Sequence, residues 1–298
     1  GAFKEVNEAF VKVSGSWKEV QEGYIKVSGA WKQFYQAFVA TGYTQQTSST
    51  TVAVPTGANA IHIQAAVGGG SGGVGGAEYD KAGGESAGAG GASGGYISDK
   101  IFTVAEGETL TLTVGSGGAL SSGGYNTTAG NGGTTSLSGN STGSIFSLAG
   151  GTGGSSSGGG VQGPLRSNNP SSAGAATISA SAITTSSLSF KEANGASVTI
   201  GTAVTLDDGP VGSFNQSGNG VAGTNPGNCS GDNCQITGGV GGSSYNGNIS
   251  GGAGGVASSS SGGNGTRGSG AGGGGAQGQT AGGTGGGGEI YYRFLRLT

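Results

Sequence analysis

Few residues of this chain could do acid–base, nucleophilic or metal chemistry, and they are scattered. Only 9% of the 298 residues are charged, with one histidine and two cysteines. His62 stands between Ile61 and Ile63. A catalytic triad would place a nucleophile and an acid around it, and no such grouping exists, so His62 reads as a histidine on a strand face. Asp207-Asp208-Gly209 offers two carboxylates but lacks the further spaced oxygens of a calcium loop, and reads as a turn. Gly68-Gly69-Gly70-Ser71-Gly72-Gly73 fits Gly-x-Gly-x-x-Gly. A dinucleotide site also needs a helix after the glycines and an acid about 20 residues on, and residues 74–95 cannot supply that helix. No catalytic, cofactor-binding or metal-ligating residue is expected, and no enzyme.

Cys229 and Cys234 lie close together. Two thiols with one distant histidine are too few for a structural metal site. A local disulfide or two free thiols remain.

The elements that must hold these residues are set by composition. Glycine supplies 74 residues and the net charge is −3. Glycine inside a helix costs roughly 1 kcal/mol relative to alanine, so a large helical core is excluded. The glycine tracts must be disordered or form a backbone lattice. Low net charge and flanking apolar strands favour order. Polyproline-II-type helices suit such tracts: three residues per turn, about 3.1 Å rise, no internal hydrogen bonds. Their amides must pair with neighbouring helices. Nucleic acid is not an expected partner, because the region after residue 40 holds seven basic and eleven acidic residues, thinly spread. No apolar run approaches the ~18 residues of a membrane span, and no membrane insertion is expected.

The first forty residues repeat with a period of fourteen. Phe10, Tyr24 and Phe38 share one position; Trp17 and Trp31 share another, preceded by Phe3. Each unit reads as strand, Ser-Gly turn, strand. Lys12 and Lys26 fall on the face opposite Val11, Val13, Ile25 and Val27. A unit this short cannot bury its aromatic row alone, so Phe10, Trp17, Tyr24 and Trp31 are candidate assembly contacts.

We therefore divide the chain into a β-repeat stalk at 1–40 and a glycine-rich β domain at 41–298, with a strand-rich insert at about 173–218. Strands are expected at 38–43, 51–54, 60–67, 96–104, 109–114, 134–137, 144–148, 176–183, 187–191, 197–206 and 289–297. The alternation in 60–65 is that of a half-buried strand, and the apolar C-terminal strand should close the sheet opened near residue 60. The fold class is all-β: β-hairpin repeats, then a β-sandwich-like base whose glycine-rich loops form polyglycine-II helices. Tyr79, Tyr125, Phe214 and Tyr245 interrupt the tracts, and are candidate receptor contacts if they sit at turn tips.

An ordered series of motifs gives the last 260 or so residues a family resemblance. It begins with Val52-Ala53-Val54-Pro55-Thr56-Gly57, the alternating strand 61–67 and Gly68-Gly69-Gly70. It continues with Gly94-Gly95-Tyr96, Gly107-Glu108, Thr113-Val114-Gly115-Ser116-Gly117-Gly118 and Gly130-Asn131-Gly132-Gly133-Thr134-Thr135-Ser136-Leu137. The stretch resembles the glycine-rich domain of bacteriophage tail-fibre and tail-tip proteins, tip adhesins included. The resemblance implies a β base with projecting polyglycine helices in an extracellular virion protein of the tail. Expected partners are other virion proteins through residues 1–40, a bacterial receptor (glycan or outer-membrane protein), and further copies of the chain, a trimer being favoured. A purely structural fibre or decoration protein is the alternative.

Overall fold

A computed structural model of the chain describes residues 9–20, 22–36, 40–73, 88–122, 127–155, 174, 176–179, 188–191, 197–200, 241, 261–265, 272–274 and 281–297. It is all-β. The fourteen-residue repeat folds as two antiparallel hairpins, β1 (Phe10–Val13) with β2 (Ser16–Glu19), and β3 (Glu22–Val27) with β4 (Ala30–Gln36). Ser14 and Gly15 have φ of 51° and 84°, and Ser28 and Gly29 have 49° and 85°. Positive φ at both central residues defines the type I′ turn, whose twist matches that of the flanking strands. An added Cβ at Gly15 would meet nothing, so backbone conformation rather than space selects glycine there.

The remaining strands are β5 (Thr44–Gln46), β6 (Thr50–Ala53), β7 (Ala60–Val67), β8 (Tyr96–Thr103), β9 (Thr109–Thr113), β10 (Thr135–Gly139), β11 (Gly143–Leu148), β12 (Ala176–Ile178), β13 (Leu188–Lys191), β14 (Ser197–Ile200) and β15 (Glu289–Leu295). One sheet runs β12-β11-β10-β9-β6, a second β5-β15-β7-β8, and β13–β14 form a hairpin of their own. The C-terminal strand β15 pairs antiparallel with β7, as its apolar sequence required. The strand expected at 38–43 does not form over its described part: Ala40 makes a lone bridge, 41–43 are irregular, and the strand β5 starts at Thr44. Thr41 instead clasps β15, its N–H donating to the Phe294 carbonyl and its hydroxyl accepting the Phe294 N–H.

The two sheets share one apolar core. β9 alternates outward threonines with inward Leu110 and Leu112, joined by Leu137, Ile145, Phe146 and Leu148 of the same sheet. Ile61, Ile63, Phe102, Ile290, Tyr292 and Phe294 face them, and the Phe102 and Phe146 rings lie 6.2 Å apart. Burying such a side chain contributes about 1.5–3 kcal/mol. β7 differs from its expected half-buried pattern: every residue but Gln64 is buried. Ala60 belongs to a second cluster with Ala40, Ile101 and Leu295, against which Leu297 packs. That cluster covers the Ala60 end of β7.

The glycine runs emerge from these strands as hydrogen-bonded extensions. β7 continues into residues 68–73 and 88–95 return into β8; β9 continues into 115–121 and 127–133 return to β10. Residues 149–154 leave β11, and 281–288 enter β15. In 68–73 successive N–H groups point to three different neighbours with a three-residue period. Gly68 and Ser71 donate to Gly95 and Ala92, Gly69 and Gly72 to Gly133 and Gly130, and Gly70 and Gly73 to Gly286 and Gly283. The carbonyls follow the same period, Gly69 and Gly72 accepting from Gly151 and Gly154, Gly70 and Gly118 pairing likewise, and Ser71 accepting from Gly273. This is the threefold pattern of a polyglycine-II helix. The six neighbours also bond around a closed ring, in the order 88–95, 149–154, 127–133, 115–121, 281–288, 272–274. The central run is therefore enclosed by six others, with 261–265 bonded outside 281–288 and 272–274.

Close approach is what requires glycine here. A Cβ on Gly69 would fall on the Ser116 carbonyl oxygen, and one on Gly132 would fall on that of Gly69. Side chains appear where a run faces out: Ser116, Ala119 and Ser122 on one run, and Thr128, Asn131 and Thr134 on the next, are exposed at every third position. Some side chains are nevertheless buried, among them Ala89, Ala92 and Ser93 in the run 88–95 and Ser71 in the central run. The Ser71 hydroxyl accepts the Ala92 N–H at 2.7 Å and donates to the Thr152 carbonyl at 2.5 Å, bridging a pair whose direct separation is 3.4 Å.

Gly69→Ala and Gly132→Ala should each destabilise the domain by about 3 kcal/mol, the upper range of overpacking, because the obstacle is backbone. Ser116→Ala should stay within about 0.5 kcal/mol; urea midpoints compare the three. Ser71→Ala should cost about 1 kcal/mol, the net worth of a hydrogen bond, because it leaves the Ala92 N–H only its 3.4 Å contact with the Thr152 carbonyl. Ser71→Gly should cost less, since the Ala92–Thr152 pair can then close directly. An unchanged thermal melt in Ser71→Ala would show that the hydroxyl bridge contributes nothing.

Candidate functional site

The hairpins put their apolar residues in water. The pairing places Lys12 opposite Trp17 and Lys26 opposite Trp31, and Val11 opposite Lys18 and Ile25 opposite Lys32. Alternation then gives each hairpin an aromatic face (Phe10 or Tyr24 with Trp17 or Trp31) and an aliphatic face (Val11 and Val13, or Ile25 and Val27). The lysines do lie opposite the aliphatic residues. The cross-strand pairing also sets each over its tryptophan, with the ammonium 5.8 Å and 5.9 Å from the ring centroid, a cation–π contact. Spacing within one strand could not reveal that contact, since it depends on the register set by the turn.

All four candidate assembly residues are exposed: Phe10 53%, Trp17 69%, Tyr24 49% and Trp31 68%. The Tyr24 hydroxyl donates to Glu22 at 2.6 Å, and that carboxylate holds the phenol above its ordinary pKa. Apart from Leu120, every exposed large apolar side chain among the described residues belongs to these hairpins. Two-stranded hairpins are marginal by themselves, so both faces call for cover.

The candidate receptor residues Tyr79, Tyr125, Phe214 and Tyr245 lie outside the described residues, as do Cys229, Cys234, Asp207 and Asp208. The glycine motif of 68–73 is the buried centre of the bundle, and its amides are spent on neighbouring runs.

Two buried polar clusters escaped sequence reasoning. His62 pairs with Arg293 across β7 and β15. Tyr43 covers both: its ring stacks on Tyr291 at 5.1 Å, the Arg293 guanidinium lies 4.3 Å from its centroid, and its hydroxyl is 3.2 Å from His62 Nδ1. Gly42-Tyr43 gives no periodic signal, and only the fold brings Tyr43 to position 62. Lys100, fully buried on β8, is likewise held by partners.

The second cluster is Glu108. Its carboxylate accepts from the Ala105 N–H at 2.7 Å, the Thr142 hydroxyl at 2.6 Å, and the Thr142 and Ser141 N–H groups at 3.0 and 3.2 Å. It ties the turn before β9 to the β10–β11 turn. Desolvation is the largest influence on this carboxyl and pushes its pKa up. The hydrogen bonds from the Thr142 hydroxyl and from the Thr142, Ala105 and Ser141 amides together outweigh it, and the net shift is downward. No group of three or more His, Cys, Asp or Glu side chains among the described residues could hold a metal ion. Among the described residues no helix is long and apolar enough to cross a membrane.

A carboxylate with a lowered folded pKa stabilises the fold above its unfolded value, near 4.5, and that contribution is lost as pH falls through the folded value. Glu108→Gln should therefore cost about 1–3 kcal/mol at pH 7, the penalty for spoiled buried hydrogen bonds. The gap between variant and parent should narrow below pH 4.5. Glu289, which burial raises against the opposing hydrogen bond from Gln45, is common to both proteins and cancels. Melting temperatures from pH 7 to pH 3 test this, and a gap constant with pH would refute the ionic clamp.

A search of curated proteins returned no match. A family model, described as a glycine-rich domain, matches residues 44–295. It spans both sheets of the sandwich and all the described runs of the bundle. With the threefold hydrogen-bonded lattice already in view, the chain belongs to the glycine-rich domain family.

Proposed function

We propose that the chain is a non-enzymatic bacteriophage virion protein of the tail fibre or tail tip, and an adhesin that contacts the host surface. The observation behind this reading is the anchored bundle. Polyglycine runs leave and re-enter the sandwich at one end, so the bundle is a rigid support for the segments that carry Tyr79 and Tyr125, which on this proposal contact the receptor. Aromatic side chains on a preorganised support are favoured binding anchors. Asn, Ser and Thr around them suit hydrogen bonding to a glycan or to outer-membrane protein loops. Phe214 and Tyr245 are further candidates. The hairpins of residues 10–36 join the protein to other virion proteins or to further copies of itself.

A purely structural role is the second reading. The outward rows of Ser116, Ala119 and Ser122, and of Thr128, Asn131 and Thr134, are small side chains suited to close lateral packing and lack a large anchor.

Purified chain added to host cells should compete with adsorption of the particle that carries it. Tyr79→Ala with Tyr125→Ala should weaken competition about tenfold or more, as loss of an interface anchor does, at unchanged melting temperature. No competition at saturating protein would remove the adhesin and leave the structural reading.

A further inference from the structure

Two Asn-Gly steps of the lattice are built alike. Asn131-Gly132 lies in the run 127–133 and Asn264-Gly265 in 261–265, and both asparagines are exposed. The Gly132 N–H donates to the Gly151 carbonyl at 2.9 Å, and the Asn131 side-chain carbonyl accepts the Gly153 N–H at 2.8 Å. The Gly265 N–H donates to the Thr284 carbonyl at 2.8 Å, and the Asn264 side-chain carbonyl accepts the Thr284 N–H at 3.0 Å. In each step the carboxamide stands in for a backbone acceptor. Carboxamide and glycine amide are both tied to one neighbouring run.

These are the two groups that join when an Asn-Gly step deamidates. The glycine nitrogen gives up its proton and attacks the asparagine Cγ. The bond from Cγ to Nδ2 breaks, ammonia leaves, and a succinimide ring remains. Water then opens the ring at either carbonyl, giving aspartate or isoaspartate. Water is the only co-reactant. Glycine makes the step easy in an open chain, because no Cβ hinders its nitrogen and its backbone turns freely.

We propose that Asn131 and Asn264 are deamidation sites closed by the lattice and opened when its runs part, and that isoaspartate at either one keeps the lattice from re-forming. Ring closure must swing the carboxamide carbon onto the glycine nitrogen. A hydrogen bond on each reacting group and the extended backbone of the run oppose that rotation. The Gly153 and Thr284 amides do polarise the carboxamides towards attack. The nitrogen that must attack is itself held by its proton to a carbonyl, so the reaction breaks two lattice bonds at once.

The product makes the loss one-way. Aspartate keeps an acceptor where the carboxamide was. Isoaspartate routes the main chain through Cβ and Cγ, so the run gains one backbone atom. The three-residue period that aims successive amides at their neighbours is then broken. Gly132, the residue displaced at the first site, has no room to move, since even an added Cβ there would fall on the Gly69 carbonyl oxygen of the central run. A chain modified while open is lost to refolding.

This inference is independent of adhesion. Peptide mapping by mass spectrometry tests it on the whole chain, held at pH 8 either folded or unfolded in guanidinium chloride. Asn131 and Asn264 should convert at least about a hundredfold more slowly in the folded chain, where reaction waits on rare openings of the runs. Equal rates in the two states overturn the proposal. Asn194-Gly195, Asn219-Gly220 and Asn246-Gly247, outside the described residues, give the rate of an unrestrained step in denaturant. After denaturant is removed, folded and unfolded fractions are mapped separately. Isoaspartate at 131 or 264 should be absent from the folded fraction, whereas Asn131→Asp with Asn264→Asp should refold. Isoaspartate in chains that melt like the parent refutes the one-way loss. So does exclusion of the aspartate variant, which would place the fault in the charge and not in the added backbone atom.

Discussion

One constraint governs the larger part of this molecule: a buried backbone amide must find a partner. Polyglycine-II runs make no hydrogen bonds within themselves. Each N–H and C=O must be met by another run, and three residues per turn direct them to neighbours all round. The central run 68–73 satisfies this with six neighbours. The distance at which such bonds form leaves no volume for a Cβ, so glycine is the stereochemical condition of the lattice. Removing one glycine does not open a cavity; it forces backbones apart, and every bond along the run is affected.

The sandwich solves the problem that a bare lattice cannot. Glycine loses more conformational entropy on folding than any other residue, and a glycine bundle has little apolar surface to offset that. The strand pairs β7–β8 and β9–β10 fix the start and direction of the runs that grow from them. The Thr135 hydroxyl accepts the Gly115 N–H at the junction. Glu108 braces two turns of the same sheet. The apolar core therefore stabilises the base, and the base aligns the bundle. Rigidity beyond the core comes from hydrogen bonds between backbones.

The hairpins follow the opposite logic. Their turns and cross-strand pairs are locally complete, yet both faces are open. They resemble a module whose stability is completed by association, where the bundle is complete in itself. A rigid domain beside hairpins with open apolar faces is what the proposed part in a larger assembly requires.

The sequence by itself determined what depends on local stereochemistry. Ser-Gly pairs at fourteen-residue spacing marked the hairpin turns, and Leu110-Thr111-Leu112 marked a one-sided strand. Glycine density excluded a large helical core and left the tracts a choice between disorder and a backbone lattice. The tertiary structure decided what depends on who is adjacent. The six-around-one packing, the burial of Ser71 as a hydroxyl bridge, the double burial of β7 and the Tyr43–His62–Arg293 stack all join residues distant in sequence. Tyr43 and Arg293 lie 250 positions apart, and Gly70 bonds a run that begins more than 200 residues later. Glycine tracts look alike to a reader of sequence, because a missing side chain carries no direction. Which tract sits at the centre is set by the order in which the strands of the base are paired.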